Sequence, residues 1–391
     1  MTEKRIYLDN SATTAPSPGV AQRMLEALNV CWGNPSSVHC CGMEANKLLQ
    51  DSRQTVLSAF GIRNPAQTGA LVFTGSGTEA DNLAVTGVLT AKHRNFLPRV
   101  IITDSEHPAI SEPVAHLERE GKCEVVRLST KNGVLDLDEL RGALTDHTVL
   151  VSIMTVNNET GAAYDIKSAF GLVKETVPSC ITHTDAVQAF GKLPVLPEKL
   201  RADLVTVSGH KINGPKGIGA LYIDPVLLRK KQLLPVTWGG GQENGLRSGT
   251  ENMPGIAGFA EAVRERQHAG AQLSEHMIRL RKHLLACLPE EVRVNSPCGA
   301  YWPGIVSLTL PGIKSEVMLR YLSAENICVS SGSACSSHHR TASPVLLAFG
   351  LTEREADCTL RISMGADNTE EELSRFAEVL RAGLLRLARM R

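Results

Sequence analysis

The sequence predicts an α/β fold, with a mainly parallel seven-stranded sheet between helices and a smaller α+β domain. Short runs of apolar and β-branched residues alternate with segments whose apolar residues recur at helical spacing, as in this fold class. Most of these runs are apolar throughout, which is typical of strands that are buried on both faces of a parallel sheet. The predicted strands cover residues 70–73, 99–103, 123–128, 149–155, 180–184, 203–208 and 219–223.

Helices are predicted between these strands, and the pattern changes after the glycine run at residues 239–241. The predicted helices cover residues 42–60, 78–93, 109–120, 137–144 and 166–175. Beyond the glycine run, the pattern predicts one helix or two over 254–288, strands over 305–310, 327–330 and 360–364, and helices over 315–325 and 369–391. We therefore expect a large domain over residues 15–260 and a small domain that contains residues 261–391.

The composition is that of a globular protein and indicates neither a nucleic-acid nor a membrane partner. The 41 lysines and arginines balance the 41 acidic residues, and hydrophobic residues make up 42% of the chain. No apolar run follows the charged N-terminus, so we expect a cytoplasmic protein. Its ten cysteines come without an export signal or a Cys-x-x-Cys pair, and we expect neither a disulfide framework nor a metal site.

A lysine follows one predicted strand in the segment Ser208-Gly209-His210-Lys211, and glycines and a proline flank it. Ligands of α/β folds bind at the carboxyl ends of strands, and a lysine held there can form a Schiff base with an aldehyde cofactor. Taken alone, a lysine in such a position is usually a solvated loop residue. The residues at the neighbouring strand ends favour the cofactor.

Other strand ends carry groups that suit a phosphorylated cofactor with a pyridine ring. The turn at Gly77 and Thr78 opens a helix whose first N–H groups would bind a phosphate. Asp185 would keep a ring nitrogen protonated, His107 would stack on the ring and shuttle protons, and Asn158 would orient the ring or a substrate carboxylate. Each residue also has a structural interpretation as a helix cap or a loop-corner residue, and only the set favours a cofactor site.

Cys335 differs from the other cysteines because small polar residues surround it in the segment Ser330-Ser331-Gly332-Ser333-Ala334-Cys335. No apolar pattern covers it, so we expect a thiol on an exposed, mobile loop. Nearby His338, His339 and Arg340 would raise its thiolate fraction. A redox or metal role for this cysteine is the alternative.

Motifs along nearly the whole chain resemble those of cysteine desulfurases of the NifS/IscS type, in the class V aminotransferase group of fold-type I pyridoxal-phosphate enzymes. The motifs are Tyr7-Leu8-Asp9-Asn10-Ser11-Ala12-Thr13-Thr14, Val156-Asn157-Asn158-Glu159-Thr160-Gly161, Ser208-Gly209-His210-Lys211, Arg247-Ser248-Gly249-Thr250 and Ser330-Ser331-Gly332-Ser333-Ala334-Cys335. The resemblance implies the fold-type I transferase fold, in which residues 1–14 join residues 261–391 in the small domain.

The resemblance also implies a role for each candidate residue. Lys211 would hold pyridoxal 5'-phosphate covalently, His107 would stack on its ring, and Asp185 would pair with the ring nitrogen. Gln188 would approach the phenolic oxygen. The phosphate ligands would be Gly77, Thr78, Ser208, His210 and, from a second subunit, Thr250. The substrate carboxylate would be bound by Arg361 and by Asn158, which also faces the cofactor.

By the same resemblance, the chain is expected to be a homodimer that takes sulfur from L-cysteine, leaves L-alanine and carries the sulfur as a persulfide on Cys335. The acceptor would be an iron–sulfur cluster scaffold or a sulfur carrier for tRNA or thiamin thiolation. Trp238, Asn244 and residues 336–344 depart from the common pattern, and the last departure leaves the acceptor open. The alternatives are an aminotransferase, epimerase or selenocysteine lyase of this fold, or an interaction protein without catalytic activity.

Overall fold

A computed structural model of the protein describes residues 5–64, 70–332 and 342–388. In these ranges the strands are β1 Ile6–Tyr7, β2 Leu71–Thr74, β3 Arg99–Thr103, β4 Glu124–Leu128, β5 Thr148–Ser152, β6 Ile181–Asp185, β7 Leu204–Ser208, β8 Gly219–Ile223, β9 Arg293–Val294, β10 Ile305–Thr309, β11 Ile327–Cys328, β12 Ser330–Ser331 and β13 Thr359–Ser363. The α-helices are α1 Pro18–Asn29, α2 Cys40–Ala59, α3 Gly77–Thr90, α4 Pro108–Arg119, α5 Leu137–Ala143, α6 Ile166–Thr176, α7 Pro197–Leu200, α8 Pro225–Arg229, α9 Met253–Cys287, α10 Ser315–Ala324, α11 Pro344–Phe349, α12 Glu353–Asp357 and α13 Glu370–Ala388.

The central sheet has seven strands in the order β2-β8-β7-β6-β5-β3-β4. Strands β3 to β7 are mutually parallel, and β8 is antiparallel to both of its neighbours. The predicted α/β fold with a mainly parallel seven-stranded sheet is confirmed, and each of its seven predicted strands overlaps an observed one. Because parallel strands end at one edge of a sheet, the residues after β3, β5, β6 and β7 lie at the same edge.

Successive residues of the central strands belong to two different hydrophobic clusters. Val100 lies in the cluster that includes residues of α3 and α4, whereas Ile101 lies in the cluster that includes residues of α2, α6 and α9. Leu204 and Val205 divide between the two clusters in the same way. Side chains alternate between the faces of a pleated sheet, so helices cover both faces, as the continuous apolar runs predicted.

Two smaller sheets connect the N-terminus to strands from the last third of the chain. The four-stranded antiparallel sheet has the order β12-β13-β10-β9, and β1 pairs with β11 in parallel. Just after β1, Asp9 forms a further bridge with Ser363. The assignment of residues 1–14 and 261–391 to one small domain stays a prediction.

Two helices differ from the sequence prediction in informative ways. Helix α1 was not predicted: Ser17 caps it and Pro18 begins it, but it buries only Val20 and Ala27, so its apolar pattern is weak. Helix α9 is interrupted at Gly270 (φ 42°, ψ −132°), which selects the two-helix alternative for this stretch. None of the helices in the described residues combines the length and the apolar character that a bilayer crossing requires.

A buried ion pair ties helix α2 to the central sheet. The guanidinium of Arg53 contacts both carboxylate oxygens of Glu243 at 2.8 Å and also donates to the carbonyl oxygen of Leu71. Glu243 Oε2 in addition accepts the N–H of Phe73 in β2 at 2.9 Å. Both charged side chains are buried, so the pair is satisfied only while both partners are present.

Arg53→Met should lower the free energy of unfolding by about 3–5 kcal/mol, because the Glu243 carboxylate would stay buried without its cation. Denaturant unfolding followed by circular dichroism measures the loss. Lys47→Met is the matched control, since Lys47 and Asp51 form an exposed pair on the same helix, and it should cost far less. Equal losses for the two variants would contradict a structural role for the buried pair.

Candidate active site

Lys211 ends the short 3-10 turn Gly209–Lys211, which follows β7 directly. Its Nζ donates hydrogen bonds to the carbonyl oxygens of Ser11 at 2.6 Å and Ala12 at 2.8 Å. The N–H of Thr14 donates to the carbonyl oxygen of His210 at 2.9 Å, so the N-terminal segment lies along this turn. The contacts of residues 11 and 12 with Lys211 were not predicted from the sequence, because the motif over residues 7–14 marks the segment without specifying what it contacts.

His107, Asp185 and Lys211 form one electrostatic group. Burial raises the pKa of Asp185, and the charges of His107 and Lys211 act against this increase. Burial lowers the pKa of His107, and this favours the neutral form of its ring. His107 Nδ1 accepts the N–H of Ala109 at 3.1 Å, so the neutral ring carries its proton on Nε2. The ends of β3, β6 and β7 thus bring together an imidazole, a carboxylate and an amine.

The start of α3 lies against the ends of β6 and β7. The N–H groups of Gly77 and Thr78 occupy the first two helical positions, which have no acceptor within a helix. A Cβ added at Gly77 would lie 3.1 Å from Val187 Cγ2 and 3.4 Å from Ser208 Cβ. Ser76 Oγ caps the N–H of Glu79 at the third helical position, so the N–H groups of Gly77 and Thr78 are the ones that can bind an anion next to the strand ends that carry Asp185 and Lys211.

A close approach between β8 and the turn before α3 fixes this helix start. A Cβ added at Gly219 would lie 2.5 Å from the carbonyl carbon of Ser76 and 2.8 Å from the nitrogen of Gly77. No side chain fits at Gly219, and the two backbones are in direct contact. The position of the helix N-terminus is therefore set by backbone packing.

Positive and neutral polar groups surround Lys211. Burial and the charge of Lys211 lower the pKa of His210 to about 4, so its ring is neutral near pH 7. Gln188 donates to the carbonyl oxygen of Ser11 at 3.0 Å and accepts from Lys192 Nζ at 3.0 Å. Burial and the charges of Arg266 and Lys211 lower the pKa of Lys192 to about 7. The sequence analysis missed Lys192, and its position four residues after Gln188 was the available signal.

Arg361 in β13 is only 2% exposed and is held on two sides. Its Nη2 lies 2.9 Å from Asp9 Oδ1, and its Nη1 donates to the carbonyl oxygen of Asn158 at 3.1 Å. Its Nε is buried and has no partner among the described residues. Asn158 therefore contacts Arg361 through its backbone, and Asp9 is a partner that the sequence analysis did not identify.

The predicted nucleophile, Cys335, lies outside the described residues, but both neighbouring described stretches end beside Glu159. Ser343 Oγ donates to Glu159 Oε2 at 2.7 Å, and a Cβ added at Gly332 would lie 2.7 Å from the same oxygen. Burial raises the pKa of Glu159 to about 7. Thr250, the last predicted ligand, is exposed on the loop before α9.

Comparisons with known proteins agree with this arrangement. Residues 6–376 match the family model described as Aminotransferase class-V. The chain belongs to the class-V aminotransferase family. A cysteine desulfurase of Nostoc sp. is 38% identical over 379 residues, which cover 96% of this chain and 92% of that relative. Other relatives of this family that are 36–38% identical over nearly the whole chain are also cysteine desulfurases, and the chain groups with them.

Solved structures also resemble the chain over nearly its whole length. A NifS-like protein superimposes with a TM-score of 0.89 at 33% identity and covers 98% of this chain and 100% of its own. A structure described as SspA in complex with cysteine has a TM-score of 0.80 at 31% identity and covers 92% of this chain and 99% of its own. The resemblance and the fold predicted from the sequence are confirmed.

Class-V family membership implies pyridoxal 5'-phosphate as cofactor, and the residues at this site fit that group. An amine, a buried carboxylate and a neutral imidazole lie at the ends of β7, β6 and β3, on one edge of the sheet and beside a helix N-terminus that suits a phosphate. The close approach at Gly219 keeps the helix start in place. This donor set matches an aldehyde, a pyridine nitrogen and a phosphate on one molecule.

Gly219→Ala should weaken pyridoxal 5'-phosphate binding about tenfold or more, because the added Cβ would push Ser76 and Gly77 out of position. Fluorescence titration of the cofactor-free protein measures the affinity. Gly142→Ala in α5 is the control, since nothing lies within 4 Å of its added Cβ, and it should bind as the unchanged protein does. Equal affinities for the two variants would argue against a phosphate site at this turn.

Proposed function

We propose that this protein is a cysteine desulfurase that converts L-cysteine to L-alanine and holds the sulfur as a persulfide on Cys335. The observation that carries the proposal is the electrostatic group formed by Lys211, Asp185 and His107 at the carboxyl ends of parallel strands. The cysteine desulfurases that resemble the chain over nearly its whole length support the same assignment. Pyridoxal 5'-phosphate is the proposed cofactor.

In this proposal, the residues near Lys211 have separate roles in cofactor binding and in proton transfer. When bound, pyridoxal 5'-phosphate supplies an electron sink that makes the Cα–H bond of the substrate acidic. The Lys211 amine would bind the cofactor aldehyde, and as a free amine it would be the base for the Cα proton of the substrate. The Asp185 carboxylate would keep the ring nitrogen protonated. His107, with its proton on Nε2, would stack on the ring and would be able to donate that proton.

The remaining cofactor contacts follow from the same arrangement. The amides of Gly77 and Thr78 would bind the phosphate together with Ser208 and the neutral His210. Gln188 lies beside Lys211, because both side chains donate to the carbonyl oxygen of Ser11, and its amide would approach the phenolic oxygen.

Arg361 is the proposed ligand of the substrate carboxylate, with Asn158 beside it. A guanidinium presents its donors in a fixed plane that matches a carboxylate. Asp9 and the carbonyl oxygen of Asn158 hold two of those donors, and the Nε group is left without a partner among the described residues. The arginine is therefore positioned before substrate arrives, which lowers the entropic cost of binding.

In the proposed sulfur transfer, the thiolate of Cys335 attacks the sulfur of the substrate cysteine. An S–S bond forms as the Cβ–S bond breaks, and the electron pair of that bond stays with Cβ. Cβ then takes a proton and becomes the methyl group of alanine, so sulfur is oxidised and carbon is reduced without an external oxidant. The persulfide is then available to a sulfur-acceptor protein.

We further propose a cytoplasmic homodimer in which Thr250 completes the phosphate site of the other subunit. Its support is that Thr250 is exposed, as are large apolar side chains at Trp32 (70%), Val38 (93%) and Trp238 (75%). The acceptor is proposed to be an iron–sulfur cluster scaffold or a carrier for tRNA or thiamin thiolation. The division into a large domain over residues 15–260 and a small domain over the rest belongs to the same proposal.

Lys211→Ala should abolish covalent attachment of the cofactor. After reduction with borohydride, the unchanged protein should carry pyridoxal phosphate at Lys211 when its peptides are analysed by mass spectrometry. Lys216→Ala, at an exposed position in the same segment, should keep the adduct. An adduct at Lys192, or one that survives in Lys211→Ala, would refute the assignment of Lys211.

Cys335→Ala should still change the cofactor absorbance when cysteine is added but should release neither alanine nor sulfide. The unchanged protein, given cysteine alone, should release alanine and gain the mass of one sulfur atom at Cys335. Cys298→Ala is the control, because this cysteine is exposed and has no proposed role in the site, and its turnover should be normal. Normal alanine release by Cys335→Ala would exclude the persulfide route, and release of a keto acid would favour an aminotransferase.

A further inference from the structure

Behind Asp185 the protein buries two more carboxyl groups, Asp81 of α3 and Glu106 of the turn between β3 and α4. Both side chains are almost completely buried. Asp185 acts electrostatically on each of them, and Glu106 also acts on Asp81, so the three carboxyl groups form one cluster. Neither Asp81 nor Glu106 forms an ion pair with a lysine or an arginine within residues 5–64, 70–332 and 342–388.

The hydrogen bonds of Glu106 fit its carboxylic acid form. Oε1 accepts the hydroxyl of Thr103 at 2.8 Å and the N–H of Met154 at 2.8 Å. Oε2 is buried and has no partner among the described residues. A charged oxygen without a partner is strongly disfavoured in a protein interior, whereas a proton on Oε2 removes the charge and leaves both bonds to Oε1 intact.

Asp81 also lacks a cation. Its nearest basic group is His183, whose Nε2 lies 3.6 Å from Asp81 Oδ1, beyond hydrogen-bond distance. The ring nitrogens of His183 contact the hydroxyls of Ser152 at 2.8 Å and Thr206 at 3.0 Å. Burial lowers the pKa of His183 to about 3, so its ring is neutral and supplies no charge.

Asp185 differs from the other two carboxyl groups because Lys211 and His107 face it, and the Lys211 ammonium, together with the His107 ring when it is protonated, stabilises its charged form. The titratable groups that face Glu106 are Asp185 from β6, Asp81 from α3 and Tyr164 from the loop before α6. Burial raises the pKa of Tyr164 to about 12, so its phenol is neutral. Within the described residues, the groups that act on Glu106 and Asp81 include no cation, and Asp185 is the carboxyl group of the cluster on which positive charges act.

We propose that Glu106 and Asp81 are neutral carboxylic acids in the folded protein and that they leave Asp185 as the single anion of the cluster. A second anion so close would favour protonation of Asp185, because buried like charges disfavour each other. Glu106 is in this sense a positioning residue, and it also ties the turn that carries His107 to the chain beyond β5. The protonation states stand independently, while their consequence for the cofactor rests on the proposed function.

Infrared spectroscopy of the full-length protein with bound cofactor tests the protonation directly. At pH 7, the spectrum of Glu106→Gln should lack one carboxylic acid C=O band that the unchanged protein has. The carboxylate bands of the two proteins should be the same. Asp81→Asn should give the same type of difference. Glu316→Gln, at an exposed position in α10, should instead lose a carboxylate band. Loss of a carboxylate band from Glu106→Gln would overturn the proposal.

Thermal unfolding against pH gives a second readout that does not depend on catalysis. Burial raises the pKa of Glu106 to about 8, so the folded state keeps a proton that the unfolded state releases above about pH 4.5. Stability is therefore lost as pH rises through this window, and the Tm of the unchanged protein should fall more steeply than that of Glu106→Gln. Equal slopes would overturn the proposal.

If Glu106→Gln fails to fold, the unchanged protein alone still decides the matter. Its spectrum should contain a buried carboxylic acid band at pH 7, and that band should weaken as pH rises past about 8. The absence of any such band would overturn the proposal. Because neither measurement follows turnover, a failed desulfurase assay and a failed protonation test remain distinguishable.

Discussion

Burial of the Asp185 carboxylate is the constraint around which the site is organised. A buried charge persists only where opposite charges and hydrogen bonds compensate for lost water. Here the N–H of Val187 contacts it at 2.8 Å, and His107 and Lys211 act on it from neighbouring strand ends. Burial also disfavours a negative charge on the other two carboxyl groups of the cluster. No lysine or arginine pairs with either of them in the described residues.

The order of the strands explains how these groups meet. Strands β3, β6 and β7 are parallel, so their carboxyl ends lie at one edge, and a single residue after each strand suffices to place a side chain there. The N-terminal segment reaches this edge of the sheet through long-range strand pairing. Pairing of β1 with β11 and the bridge from Asp9 to Ser363 bring residues 11–14 onto the Lys211 turn, and no local sequence pattern specifies that contact.

This difference marks how far the sequence predicts the structure. The buried strands and Lys211, Asp185 and His107 are predictable, because apolar runs and the residues that end them are local features. Helix α1 and the carboxyl cluster are not, because each is recognised only by what packs against it, and Lys192 is marked in the sequence only by its position four residues after Gln188. Asp81 is the clearest case: in the sequence it is an unremarkable helix residue, and only the fold places it behind Asp185.

One turn links the proposed substrate site to the chain on either side of residues 333–341. Asn157 Oδ1 accepts the N–H groups of Glu159 and Thr160 at 2.9 Å, which fixes the turn. The next carbonyl group, that of Asn158, holds Arg361, and the side chain of Glu159 contacts Ser343 and lies against Gly332. Any shift of this turn would therefore move the substrate arginine and both stretches that flank Cys335 together. A rigid turn is the simplest way to keep two separate functional segments in register, and its internal hydrogen bonds provide that rigidity.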